Sequence, residues 1–213
     1  MEKYILNLRK EYADIPLSLK ELSKNPLKQL KHWLNDAIKE KVVEANIITL
    51  ATVSRNNRPS IRAVLMKQLN SKGVIFFTNY NSRKAKDLEF NPYAAINIVW
   101  REIGRQVNIE GKIKKISQKE NERYFKLRTY EAKIAAITSP QSSVIKSREQ
   151  LDKIFLTNDK IYKNKKIKCP ANWGGFILEP NRIEFWHARE KRLHDRFVYL
   201  KDKKNWKIIR LAP

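Results

Sequence analysis

From residue 47 onward the apolar residues come in short runs, most of them alternating with polar ones, and turn-forming residues close each run. "IITLATV" (47–53), "IRAVLMKQL" (61–69), "GVIFFTN" (73–79), "YAAINIVW" (93–100) and "RQVNIEGKIKKI" (105–116) each read as a strand, because successive strand side chains face opposite ways. "GGFILEP", "RIEFWHA", "RLHDRFVYL" and "WKIIRLAP" repeat the pattern near the C-terminus. None approaches the ~20 apolar residues of a membrane-spanning helix. Many short strands interrupted by a few helices predict a mainly β, α+β chain: an antiparallel barrel with helical additions.

The helices announce themselves through their caps. Asn25 and Pro26 open "NPLKQLKHWLNDAIKEK", in which Leu27, Leu30, Leu34 and Ile38 recur on one face. "SRKAKDLEF" (82–90) is a short helix stopped by Asn91-Pro92, and Ser117 with Glu120 forms a capping box. Two more helices are expected, over 130–138 and from Ser147 to Asn158. Without repeats or a low-complexity linker, residues 1–213 read as one domain, with a flexible N-terminal arm over 1–24.

The chain carries 45 Lys+Arg against 22 Asp+Glu, a net charge of +23. Such an excess suits an anionic partner: nucleic acid, acidic membrane or a phosphorylated metabolite. Lysine is spread along the whole chain, and no helix-turn-helix, RNP or finger pattern accompanies it. Neither nucleic acid nor membrane is therefore the expected partner. The N-terminus lacks a secretion signal and Cys169 is alone, so cytoplasmic residence is expected. With three histidines and no HExxH or paired CxxC, no metal site is expected.

Five stretches carry chemistry. "TNYNSRK" (78–84) ends a strand and opens a helix with Arg83 and Lys84 in its first turn, beside the hydroxyls of Thr78 and Ser82. Cations are unfavourable at a helix N-terminus unless an anion binds there. In "RAVLMK", Arg62 and Lys67 are five apart, on opposite faces of an ideal strand or at two ends of a site that bends around a ligand. In "RYFKLR", Tyr124 and Arg128 share a helix face and together suit a phosphate. "PQSS" offers the neutral donors Gln141 and Ser142. "EFWHAREKRLHDRF" (184–197) reads as a hairpin around "REK", with Arg192, His194 and Arg196 on one strand face beside Trp186. No GxSxG-type nucleophile appears, which argues against hydrolysis.

In this order, with "LRKEY" (8–12), "RQVNIEGK", "NWGGF" and the final "RLAP", the stretches resemble the pyridoxine/pyridoxamine 5′-phosphate oxidases from end to end. That family has an FMN-binding split β-barrel and acts in vitamin B6 metabolism as a homodimer. The resemblance implies FMN as cofactor, with Arg62, Phe77, Thr78, Arg83, Lys84, Gln141 and Ser142 around its phosphate and ribityl chain. Lys67 and Gln106 would approach the flavin ring, and Trp186 and Arg196 would complete the site from the partner subunit. The C-terminal strands from 174 to 213 would thereby finish a site at the dimer interface.

The resemblance also implies that Lys67, Tyr124 and Arg128 hold the substrate phosphate. Arg192 and His194 would lie over the pyridine ring as the catalytic pair, and Arg9 and Tyr12 would help close the site. The implied reaction passes hydride from substrate C4′ to flavin N5; dioxygen takes the electrons, leaving hydrogen peroxide and pyridoxal 5′-phosphate. The family pattern has Tyr, Pro, Ser and Gln where this chain has Phe77, Thr129, Ala132 and Lys133. One hydrogen bond fewer to a charged phosphate costs roughly 1.5–3 kcal/mol, which Lys133 could offset. A split-barrel flavin reductase, or an oxidase of another substrate, is the second expectation. A basic binding protein without turnover is the third.

Overall fold

A computed structural model describes residues 15–213. Among them eight strands form: β1 (Ile47–Val53), β2 (Pro59–Leu69), β3 (Val74–Asn79), β4 (Tyr93–Trp100), β5 (Arg105–Lys115), β6 (Trp173–His187), β7 (Asp195–Asp202) and β8 (Asn205–Leu211). They form one antiparallel sheet in the order β3-β2-β1-β4-β5-β6-β7-β8, and a further β3–β6 pairing closes the first six into a barrel. Closure removes the free edges of those six strands, while β7 and β8 continue outward from β6.

β6 is one strand of 15 residues, where the sequence pattern predicts two. Pro180 lies in the middle of it and offers no N–H to a ladder, so it reads as a break. The structure accommodates it with a bulge: Glu110 faces Arg182 and Gly111 faces Pro180, leaving Asn181 as the extra residue. At that bulge β6 changes neighbours, pairing through Trp173–Leu178 with β3 and through Arg182–His187 with β7. Gly111 is required there, because a Cβ would fall 2.2 Å from the Glu179 carbonyl oxygen.

Ile48, Leu50, Phe76, Ile96, Val107, Ile109, Leu178 and Phe185 fill the core. Helix α1 (Pro26–Lys39) is packed onto it through Leu27, Leu30, Trp33 and Ala37, with Trp33 edge-on to Phe185 at 5.0 Å. Its buried arc centres on Leu30, Trp33 and Ala37, so Leu34 falls at the margin and Ile38 is exposed. Asn25 caps the helix, its Oδ1 accepting from the N–H groups of Leu27 and Lys28 at 2.9 and 3.2 Å. Helix α2 (Arg83–Phe90) follows β3, while α3 (Gln118–Lys126), α4 (Tyr130–Thr138) and α5 (Arg148–Tyr162) lie between β5 and β6.

Two hydrogen bonds join the residues before α1 to β7. The Leu17 N–H donates to the Asp195 carboxylate at 2.9 Å, and the Tyr199 hydroxyl donates to Ser23 O at 2.7 Å. One expectation is corrected, the strand reading of "RLHDRF". β6 ends at His187 opposite Asp195, so residues 192–194 have no ladder to join. Glu190–Arg192 is instead a 3-10 turn, with Lys191 and Arg192 in the left-handed region at φ 54° and 61°. Arg192 and His194 therefore do not alternate with Arg196 on a strand face.

Candidate active site

Eight of the predicted residues line a cavity of about 440 Å³: Arg62, Lys67, Phe77, Thr78, Lys84, Tyr124, Arg128 and Gln141. β2 contributes both Arg62 and Lys67, which a regular strand would turn to opposite faces. Pairing with β3 shifts register between Met66 and Gln68, so Lys67 is bulged and the alternation breaks in front of the cavity. Phe77 and Thr78 come from β3, Lys84 from the first turn of α2, Tyr124 from α3 and Arg128 from just beyond it. Gln141 reaches in from the loop after α4.

One end of the cavity is cationic. Lys84 is buried and donates to Thr78 Oγ1 at 3.1 Å; Thr78 in turn donates to Gln141 Oε1 at 3.0 Å. Burial, helped by the nearby Arg62, holds the Lys84 ammonium below the usual lysine range. Burial also lowers Arg62; Asp87 opposes this, and Arg83 adds to it. Ser82 precedes α2 without a side-chain cap, so the first N–H groups of that helix are left for another acceptor. Arg83 itself is exposed and does not line the cavity.

The other end is aromatic. Phe77 stacks on Tyr124 with centroids 3.9 Å apart and on Trp173 at 5.3 Å. The Arg128 guanidinium lies 4.7 Å over Trp173 and donates to Ala132 O at 2.7 Å. Burial pushes the Tyr124 phenol up, with Arg128 pulling against it, and burial lowers Arg128. Lys133 donates to Lys126 O at 2.9 Å and does not line the cavity, so it does not replace the hydroxyl that Ala132 lacks. Trp173 went unrecognised in the sequence as a site residue, although it stands in "NWGGF" and borders an adjoining 240 Å³ recess with Phe77 and Arg128.

The remaining candidates assemble elsewhere. Gln106, Trp186 and Arg196 sit side by side across β5, β6 and β7, with the His194 ring 4.5 Å from Trp186. Arg196 is fixed by the buried Glu184 at 2.8 Å and donates to Ala212 O at 2.9 Å. None of these four lines the 440 Å³ cavity, nor do Arg192 and Ser142, both exposed with positive φ. Arg9 and Tyr12 lie outside the described residues. β6 links the two groups: Gly175, opposite Phe77, is near its start and Trp186 near its end.

His194 accepts a hydrogen bond from the Arg189 N–H at Nδ1, 3.1 Å away. Burial, then the Arg192 cation, lowers its pKa, so at neutral pH the ring is uncharged with its proton on Nε2. A histidine whose folded pKa is depressed contributes stability above its ordinary pKa of about 6.5 and loses it as pH falls. Amide exchange at Arg189 is expected to lose protection between pH 7 and pH 5. Protection that stays constant after correction for intrinsic exchange would contradict this tautomer.

The family described as pyridoxamine 5′-phosphate oxidase matches residues 34–155, and the pyridoxine 5′-phosphate oxidase C-terminal dimerisation region matches residues 173–213. A pyridoxine/pyridoxamine 5′-phosphate oxidase of Mannheimia succiniciproducens is 44% identical, over 97% of this chain and 98% of its own. One of Aliarcobacter butzleri is 45% identical, over 98% and 99%. Among solved structures, PhzG from Burkholderia lata 383, in complex with tetrahydrophenazine-1-carboxylic acid, superposes with a TM-score of 0.89 and 30% identity. It covers 94% of this chain and 99% of that one. A pyridoxamine 5′-phosphate oxidase-related, FMN binding protein of Nostoc punctiforme PCC 73102 shares the fold, with a TM-score of 0.72 and 19% identity over 91% and 99%. The barrel closed through β6, the two family matches and the near-full-length relatives agree: this chain belongs to the pyridoxine/pyridoxamine 5′-phosphate oxidase family of oxidoreductases.

Proposed function

We propose that this protein is an FMN-dependent oxidase, converting pyridoxamine 5′-phosphate and pyridoxine 5′-phosphate to pyridoxal 5′-phosphate as a homodimer. The observation that carries the reading is the charge at the cationic end of the cavity. Arg62 and the buried Lys84 line that end and the exposed Arg83 stands beside Arg62, while the one carboxylate acting on these groups is Asp87, paired with Arg62. Two positive charges remain uncompensated, which match a fully ionised phosphate monoester. The Thr78 hydroxyl and the uncapped start of α2 add donors. These residues fit the FMN phosphate, with Gln141 toward the ribityl chain.

Gln106, Trp186 and Arg196 are grouped around the end of β6 far from this cavity, which supports their belonging to the second subunit's share of each site. Gln106 goes with Trp186 because the two are cross-strand neighbours. The matched dimerisation region supports the homodimer. So does the outer sheet face, where Ile61 and Val99 are 71% and 56% exposed. The same reading assigns the enzyme to the cytoplasm, with which the free thiol of Cys169 is consistent.

FMN, held by Arg62, Thr78, Lys84 and Gln141, would supply a two-electron acceptor for oxidation at substrate C4′, with dioxygen as the final acceptor and hydrogen peroxide as its product. The protein's part is placement. Lys67 and Arg128 offer cations to the substrate phosphate, and Tyr124, kept protonated by burial, donates its O–H. His194, neutral, donates from Nε2 toward the pyridine ring. Arg192 stabilises negative charge developing there.

Anaerobic mixing of the flavin-loaded protein with pyridoxamine 5′-phosphate is expected to bleach the flavin absorbance. Unphosphorylated pyridoxamine should act at least about 100-fold more weakly, having lost several charge-assisted hydrogen bonds. A second reading keeps the flavin but changes the substrate. It rests on Ala132, which presents only a backbone carbonyl that Arg128 already occupies. Equal bleaching by both amines would favour it.

A further inference from the structure

We propose that Asp87 is a positioning residue that aims Arg62 at the phosphate-binding end of the cavity through the hydroxyls of Thr52 and Ser60. The inference rests on the flavin-phosphate reading above. Asp87 and Thr52 are buried, and neither lines the cavity. Asp87 Oδ2 accepts from Thr52 Oγ1 at 2.7 Å and from Ser60 Oγ at 3.3 Å, and lies 3.7 Å from Arg62 Nη2. The guanidinium then rests on the same two hydroxyls. Nη1 donates to Thr52 Oγ1 at 2.6 Å and Nη2 to Ser60 Oγ at 2.5 Å, with Leu50 O at 3.4 Å from Nη1.

The direction of these bonds matters. A hydroxyl has one proton to give. Asp87 takes it from Thr52 and from Ser60, so both present lone pairs to Arg62. Of the five N–H donors of a guanidinium, three are engaged inside the protein, leaving two for a ligand. A carboxylate that fixes two hydroxyl rotors thereby fixes which edge of Arg62 faces the cavity. The register makes this possible: Thr52 is directly opposite Ser60 across β1 and β2, and Ser60 shares a strand face with Arg62. On α2, Asp87 is three residues after Lys84, so one helix face presents the cavity's buried cation and the anion behind its neighbour.

The test is fluorescence titration of the flavin-free, full-length protein with FMN and, separately, with riboflavin, which lacks the phosphate. Asp87→Asn is expected to raise the Kd for FMN about 10- to 100-fold, the scale of hydrogen bonds to a charged group, and to change that for riboflavin less than about twofold. Thr52→Val should repeat the phosphate-selective loss, and Thr52→Ser should restore FMN affinity. The Thr52 pair carries the test if Asp87→Asn fails to fold. Equal weakening toward both flavins, or unchanged FMN affinity, overturns the inference while the flavin-phosphate reading stands. A wild-type protein that binds riboflavin as tightly as FMN overturns that reading first, and the inference with it.

Discussion

Replacing Arg192 by alanine is expected to lower turnover of pyridoxamine 5′-phosphate about 100- to 1,000-fold, the scale of one lost group that stabilises developing charge. Affinity for FMN should stay nearly constant, because Arg192 is exposed on the turn after β6 and does not line the cavity of Arg62 and Lys84. Its backbone sits in the left-handed region, as does that of Lys191 before it. Consecutive non-glycine residues held there store strain of the kind found at functional sites. Arg192→Lys keeps the charge but loses the planar fork, so intermediate turnover is expected. Stopped-flow reduction rates and equilibrium flavin titration on the same preparations separate the two effects. Parallel loss of both would contradict the role.

Arg62→Met should act in the opposite way, abolishing tight FMN binding and lowering stability together. Asp87 would be left as a buried carboxylate with no cation beside it, and removing one partner of such a pair typically costs about 3–5 kcal/mol. Chemical denaturation of the flavin-free protein measures this directly. Adding Asp87→Asn to Arg62→Met should recover most of the lost stability, because the orphaned charge is gone, and none of the FMN affinity. A double variant no more stable than the single one would show that the carboxylate is not what the lost cation had been compensating.

The barrel was readable because its strands carry period-two patterns closed by turn residues, and two of the helices because Asn25 and Ser117 cap them with side chains. What resisted reading depended on partners distant in sequence. Pro180 looks like a break until a bulge opposite Gly111 absorbs it. Residues 192–194 look like a strand until β6 is seen to end at His187. In the site, the cavity residues declared themselves as cations and hydroxyls in motifs. Asp87 did not, since an acidic residue beside Arg83 and Lys84 looks like an ordinary surface charge. Only the pairing of Thr52 with Ser60 shows what it is for. Glu184 was missed for the same reason: its hold on Arg196 runs between neighbouring strands.

β6 places its two ends in different company, with Phe77 beside Gly175 at one and the Trp186 cluster at the other. If each complete site draws the first group from one subunit and the second from its mate, damage to the two groups is separable in heredity. An allele broken at Arg62 and another broken at Arg192 would complement each other in one cell. Mixed dimers would confine both lesions to the same site and leave the second site whole. Two alleles broken at Arg62 and Lys84 would not, because every site in every pairing would inherit one of them.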